Sequence, residues 1–354
     1  MTSATNETVP PVGKPASILA AENVLRPPSR LEKAVGPEWA RLIKGLLTNP
    51  LSVFGLIIVA GFLFVGLLAP VLAPPPSPTW KTTSIPRDGF RPEPQPPGTP
   101  WQRNAPYYIP AWYKLTGNEE WVHLLGTTGG QYDIWYGLIW GTRTALLAGT
   151  AVVFVSAIIG ILIGSIAGYF GGIVDEVLMR FVEIFVVFPG LVAVLVLSSI
   201  LIPIFGRSLW PAMIALTVFG WMGYARLLRG DILSGKERDY VLAARASGAK
   251  DTHIILKHVL PNAIFPTLVL LSLDMGSIVL SFAALSFLGV GVEAGYADWG
   301  QIVSFARNYI VSLDTYWYVI LFPALALLFY GLGWNLLGDA MRDILDPKMR
   351  GKTG

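Results

Sequence analysis

The chain has 354 residues, 53% hydrophobic and 14% charged, with a mean hydropathy of +0.56; soluble globular domains carry about 25% charged residues, so a water-soluble fold is disfavoured. The formal charge of +3 is small and the basic residues are scattered, which argues against a nucleic-acid binder. With no cysteine, neither a disulfide framework nor a thiolate metal site can form.

Residues 1–50 are polar until "PEWARLIKGLL", where Trp39, Leu42, Ile43, Leu46 and Leu47 recur at helical spacing around Arg41 and Lys44. The pattern is either a short interfacial helix or an ordinary polar flank. A spanning helix needs ~20 mostly apolar residues, and the first such run is "LSVFGLIIVAGFLFVGLLAPVL", residues 51–72. Residues 73–142 then form a long loop ending in an amphipathic segment. Between 73 and 125 proline is dense enough to exclude long helices and central strands. Its Trp and Tyr side chains either cap a partner or pore mouth, or lie on lipid headgroups.

Five further apolar runs fill residues 143–337. They are "TALLAGTAVVFVSAIIGILIGSIAGYFGG", "IFVVFPGLVAVLVLSSILIPIF", the short "LWPAMIALTVFGWMGYA", a run from Ile264 to Val292 carrying one charge, Asp274, and "YWYVILFPALALLFYGLGWNLL". Residues 338–354 are a polar tail. The expected fold is therefore all-α and polytopic, with six transmembrane helices. Gly160, Gly164 and Gly168 recur every four residues and give the second span a smooth strip, for close packing or for a sliding contact. Pro189 and Pro323 fall inside spans three and six and are expected to kink them.

Lys and Arg are retained on the cytoplasmic side. The termini and the loops sharing their side hold 18 of the 26 Lys/Arg residues and the opposite side holds seven, with Arg143 at the boundary. Both termini are thus expected in the cytoplasm, and the first span is expected to be an uncleaved anchor. This places "RDYVLAARASGAKDTHIILKHVLPN", residues 238–262, in a cytoplasmic loop. Glu237 to Ala249 read as a helix in which Gly248 supplies a left-handed cap. Asp251 reads as the N-cap of a second helix whose apolar face is Ile255, Leu256, Val259 and Leu260, and Pro261 stops or kinks it. A helix, a Gly turn and a short amphipathic helix held between two spans make a docking element for a cytoplasmic partner.

"AARASGAKDTHIILKHVLPN" resembles the signature cytoplasmic loop of ABC importer permeases, with Ala243, Ala244, Gly248, Ile255, Leu260 and Pro261 at the matching offsets. The wider chain resembles the dipeptide/oligopeptide/nickel branch through "LGTTGGQYDIWYGLIWGTR", "GYFGGIVDEVLMRFVEIFVVFPGL", "LSFLGVGVEAGYADWGQ" and "NLLGDAMRDILDP". That resemblance implies the type I permease architecture in an inner membrane, with residues 237–262 as the coupling loop that docks in an ATPase subunit. It also implies a second homologous permease, two ATPase subunits and an extracytoplasmic solute-binding protein as partners, besides membrane lipid. The solute is then a di- or oligopeptide, with oligosaccharides and nickel chelates as alternatives, and ATP is bound by the partner subunits. The chain departs from the family at Leu242, where a Glu is usual, at Thr128, Gln131 and Tyr132, and at Phe282, where a Glu is common. Asp274 lies two turns before Phe282, which makes the two the candidates for the translocation path. Asp274 either lines that path, pairs with the partner permease, or makes a helix-packing hydrogen bond.

Other signals are weaker. "GDILSGKE" nearly spells a phosphate-binding loop, but Glu237 stands where Ser or Thr would hold magnesium and no strand precedes it. His253 and His258 are five residues apart and lack a carboxylate-rich surround, so no metal site is expected. No constellation of paired carboxylates or histidines suggests an enzyme. A secondary transporter would show more ionisable residues within its spans than Asp274 alone.

Overall fold

The computed structural model describes residues 29, 33 and 35–345, apart from 116, 118 and 119. Most of the expected 1–50 extension, and the tail from 346, lie outside the described residues.

The described part of the N-terminal region holds α1 (Pro37–Thr48), α2 (Pro50–Leu67) and α3 (Ala69–Leu72). Proline at the start of each fits the first helical turn, where its missing N–H is not needed. Asn49 caps α2 by accepting from Leu51 N at 2.9 Å. Contrary to a purely interfacial placement, α1 packs on the bundle: Ala40 and Leu42 are buried, and Trp39 meets Phe265 with ring centroids 5.5 Å apart.

A loop layer follows, with β1 (Thr99–Pro100) antiparallel to β2 (Val122–His123) and a single turn, α4 (Ala111–Lys114). The layer is folded against the bundle. Trp135 and Trp140 donate to Leu72 O and Ala73 O, each at 2.9 Å, and Ser84 pairs with Tyr296.

The second span, α5 (Ile134–Phe170), begins well before Arg143, inside the stretch read from the sequence as loop. Asp133 initiates it by accepting from Tyr136 N at 2.6 Å, and Arg143 is carried on an exposed face over the Trp140 ring. The third crossing is broken: α6 (Gly172–Val186) and α7 (Gly190–Phe205) meet at 84°. Pro189 is the N-cap of α7, so it ends one helix and starts another instead of kinking a continuous one. At 1.5 Å per residue, the 16 residues of α7 reach about 24 Å, short of the ~30 Å hydrocarbon core.

Next come α8 (Leu209–Gly235), the segment from α9 (Asp239–Ala246) through α10 (Asp251–Ile254) to α11 (Leu260–Ala263), then α12 (Phe265–Phe287) and α13 (Trp299–Phe305). The last helix, α14 (Leu313–Leu345), runs past Asp339, so residues 338–345 continue the sixth helix. Pro323 lies inside α14, but the non-helical residue is Tyr316, one turn from its start. Among the described residues five helices are long and apolar enough to cross a membrane, and six spans result when α6 and α7 count as one.

Helix α5 packs along α8, α12 along α14, and α14 along α2. The glycine strip decides the first contact. A Cβ on Gly164 would lie 2.6 Å from Ala225 O, and one on Gly160 would lie 2.4 Å from Tyr224 Cβ. Backbone therefore meets backbone, and the strip is a packing surface within this chain. The contacts advance in step, Gly160 with Tyr224 and Gly168 with Arg229, so α5 and α8 run parallel and end together at the turn segment.

Candidate functional site

The segment 238–263 sits at the shared C-terminal end of α5 and α8. Helix α9 ends at Ala246 and the chain reverses at Gly248, whose φ of +78° is the left-handed conformation expected from the sequence. The second helix differs from the expectation. Lys250 occupies the N-cap position and Asp251 is its first residue. Freed from capping, the Asp251 carboxylate accepts from the Tyr169 hydroxyl of α5 at 2.6 Å. Residues Ile255–Val259 form a π-turn that ends two residues before Pro261. Proline has no N–H to offer the preceding turn, and the widened ladder accommodates it.

The π-turn also rotates the apolar face. Ile254 and Val259 are fully buried and Ile255 and Leu260 partly so, whereas Leu256 is 66% exposed. The expected face of Ile255, Leu256, Val259 and Leu260 is therefore corrected: Ile254 replaces Leu256. Inward, Val241, Ile254, Val259 and Ala263 pack with Tyr169, Leu228 and Ile232 in one cluster. Outward, Ala243, Ala246, Ser247, Gly248 and Pro261 are exposed, while Ala244 is half-buried.

Polar contacts fasten the same junction. Lys236 donates to Gly168 O at 3.0 Å and Tyr169 O at 3.3 Å, satisfying carbonyls that the end of α5 leaves open. Arg229 of α8 grips Asp175 of α6 through two hydrogen bonds of 2.6 and 2.5 Å. Arg245 stands over the Tyr169 ring. A load on the exposed face would thus reach α5, α6 and α8 through hydrogen bonds and packed side chains.

The two path candidates part company. Phe282 is 2% exposed, in a cluster with Ala148, Val152, Val194 and Met213, so it is a core residue and lines no open path in this conformation. Asp274 is half-buried and takes a 3.3 Å hydrogen bond from Ser277. A carboxylate in a span costs about 2.5–3.5 kcal/mol on insertion scales, so a single long hydrogen bond within the chain leaves it under-compensated.

Residues 160–351 match the model for "Binding-protein-dependent transport system inner membrane component", and residues 38–97 match "N-terminal TM domain of oligopeptide transport permease C". The chain belongs to this family of ABC importer permeases. Relatives include the dipeptide transport system permease protein DppC of Alkalihalophilus pseudofirmus, 32% identical over 92% of this chain and 94% of that one. The probable D,D-dipeptide transport system permease protein DdpC of Escherichia coli is 39% identical over 65% and 75%. The glutathione transport system permease protein GsiD of Pectobacterium atrosepticum is 35% identical over 65% and 74%. Among solved structures, an inward-facing form of the MetNI methionine ABC transporter aligns with 60% of this chain and 97% of its own at a TM-score of 0.48 and 22% identity.

The permease is a multi-pass inner-membrane protein and a transporter subunit, not an enzyme. Sequence reasoning missed one of its buried polar centres. His123 is fully buried in the loop layer, its Nδ1 2.7 Å from Asp133 Oδ2 and its Nε2 3.4 Å from Asp88 Oδ2, with the Trp101 ring tilted against it at a centroid distance of 4.0 Å. Asp88 also accepts from Gln102 N at 2.8 Å. This centre ties the loop to the N-cap of α5. Nothing in its spacing announces it, because the three residues come from separate parts of the loop. Among the described residues no group of three or more His, Asp or Glu could hold a metal ion.

Proposed function

We propose that this permease carries di- or oligopeptides into the cytoplasm, driven by ATP hydrolysed in separate subunits. The observation that carries the reading is the Gly248 turn segment. It presents small, exposed residues outward and is fixed to α5 and α8 by Tyr169–Asp251 and a buried apolar cluster. A surface of that kind serves to receive force. Ala243, Ala244, Gly248, Ile255, Leu260 and Pro261 form or support the seat of an ATPase subunit, and the segment and both termini face the cytoplasm. The positive-inside distribution supports this orientation. Lipid, a second homologous permease and an extracytoplasmic binding protein complete the assembly, with two ATPase subunits. Peptides are favoured as solute because relatives along most of the chain are named for dipeptides and glutathione.

The cycle follows from the anchoring. Closure of the ATPase dimer displaces the turn segment, and α5 and α8 move with it because their glycine contact has no slack. The broken pair α6–α7 follows through Arg229–Asp175, and Asp274 lies on the path that opens. Tagged permease should co-purify with ATPase subunits and a second permease, and vesicles holding that complex and its binding protein should accumulate labelled alanyl-alanine only with ATP. Accumulation of an oligosaccharide or a nickel chelate instead would replace the peptide assignment. Uptake without any ATPase would overturn the reading altogether.

A further inference from the structure

A groove between α8 and α12 opens beside the turn segment. Its open part is a cavity of about 870 Å³ lined by Leu227, Asp231 and Ser234 of α8 and by Leu270 and Leu273 of α12, a size within the ~300–1,000 Å³ usual for small-molecule sites. Arg238 and Arg342 stand among its lining residues. Tyr224, Leu227, Asp231 and Ser234 recur at three- and four-residue steps and share one face of α8. Leu270, Leu273, Asp274, Ser277 and Ser281 do the same on α12.

Two acidic positions on this line lack full partners. The Asp231 Oδ2 atom is buried without a hydrogen bond. Further in, Tyr224 is 1% exposed and brings its hydroxyl beside Asp274 without forming a hydrogen bond of good geometry. Ser277, exposed, donates to Asp274 Oδ1 at 3.3 Å, and Ser281 donates to Ser277 O at 2.9 Å. Asp231 lies seven residues beyond Tyr224, about 10 Å along the helix. No Lys or Arg lies between Asp274 and the end of α12, and the two arginines that line the cavity, Arg238 and Arg342, come from outside α8 and α12.

We infer that this groove is the inward part of the solute path and that it takes the positively charged amino group of the solute, at Asp274 with Tyr224 and then at Asp231. The inference rests on the proposed import of peptides, whose free amino terminus is the matching group. Asp231 lines the cavity and Asp274 follows its lining residue Leu273 on α12, and two carboxylates so placed suit a group that moves from one to the next. A permanent ion pair with a neighbouring subunit would need a fixed cation for each.

The test uses the absence of cysteine. In inverted vesicles carrying the assembled complex, Ser277→Cys is exposed to methanethiosulfonate reagents of equal size and opposite charge. The cationic reagent should react at least tenfold faster than the anionic one. Asp274→Asn should bring the ratio near one, Asp231→Asn should lower it, and Asp274→Glu should preserve it. Alanyl-alanine should slow the reaction, and N-acetyl-alanyl-alanine should not. No reaction with either reagent, a ratio untouched by Asp274→Asn, or equal protection by both peptides would overturn the inference. If the charge preference and its loss are found while wild-type complex fails to import alanyl-alanine, the peptide assignment falls and the cation-selective groove stands.

Discussion

The Tyr169 hydroxyl donates to Asp251 Oδ1 at 2.6 Å and so joins the last turn of α5 to the first residue of α10, 82 positions later in the chain. The bond crosses from a spanning helix to the element proposed above as the ATPase seat, and it does so beside the Lys236 contacts that close the same helix end. Removing it should loosen transmission without dissolving the fold.

Tyr169→Phe deletes the donor and keeps the ring in its apolar cluster. A hydrogen bond to a charged group contributes about 1.5–3 kcal/mol net, and partial exposure of the pair puts this one at the lower end. The variant should assemble and hydrolyse ATP but import less solute per ATP. The ratio of uptake to hydrolysis in vesicles reads this directly, and an unchanged ratio would remove the bond from the coupling route.

Gly248→Val tests the reversal itself. Nothing lies within 4 Å of a Cβ at this position, so crowding is absent and only the backbone, at φ +78°, resists the substitution. A β-branched residue there costs of order 1–3 kcal/mol. The permease should reach the membrane in normal amount while ATP-driven uptake falls sharply, and Gly248→Asn, which tolerates the left-handed region, should retain most of it. Equal loss in both variants would point to a contact rather than a conformation.

The spans were legible because a bilayer imposes one requirement, a long apolar run, and Leu51, Val152 or Leu270 meets it whatever the neighbours do. The Gly248 turn was legible because one residue type suits its geometry. Features that depend on partners distant in sequence were not. Phe282 looked like a path residue until α5, α7 and α8 closed over it. Pro189 looked like a kink within one helix, yet its chain direction changes by 84°. Leu256 belonged to the apolar face on a strict α-helical count, and the π-turn before Pro261 moved it to the surface. The His123 centre joins three loop residues that only the folded layer brings together.

Orientation can be read by labelling. Leu115 in the loop layer is 89% exposed and Leu256 in the turn segment 66% exposed, so a cysteine at either costs no packing. In intact cells a membrane-impermeant thiol reagent should label Leu115→Cys and spare Leu256→Cys, and inverted vesicles should reverse the result. The opposite pattern would turn the permease over and remove the turn segment from the ATPase side.

Asp298 provides a pH test in the loop layer. It caps α13 by accepting from Gln301 N at 3.0 Å, and burial pushes its pKa from the ordinary 3.8 up to about 6. Below pH 3.8 the carboxyl is protonated in both folded and unfolded chains and its contribution to stability is complete. As pH rises the unfolded chain releases its proton first, so stability falls until the folded state also ionises, near pH 6. The loss amounts to about 3 kcal/mol at 1.36 kcal/mol per unit, an order-of-magnitude figure. Asp298→Asn keeps an acceptor for Gln301 N and cannot ionise. Purified wild-type permease should therefore lose thermal stability between about pH 4 and pH 7, whereas Asp298→Asn should be flatter over that window and more stable than wild type at pH 8. Parallel Tm curves for the two proteins would show that the carboxyl titrates alike in both states and that its burial has no energetic consequence.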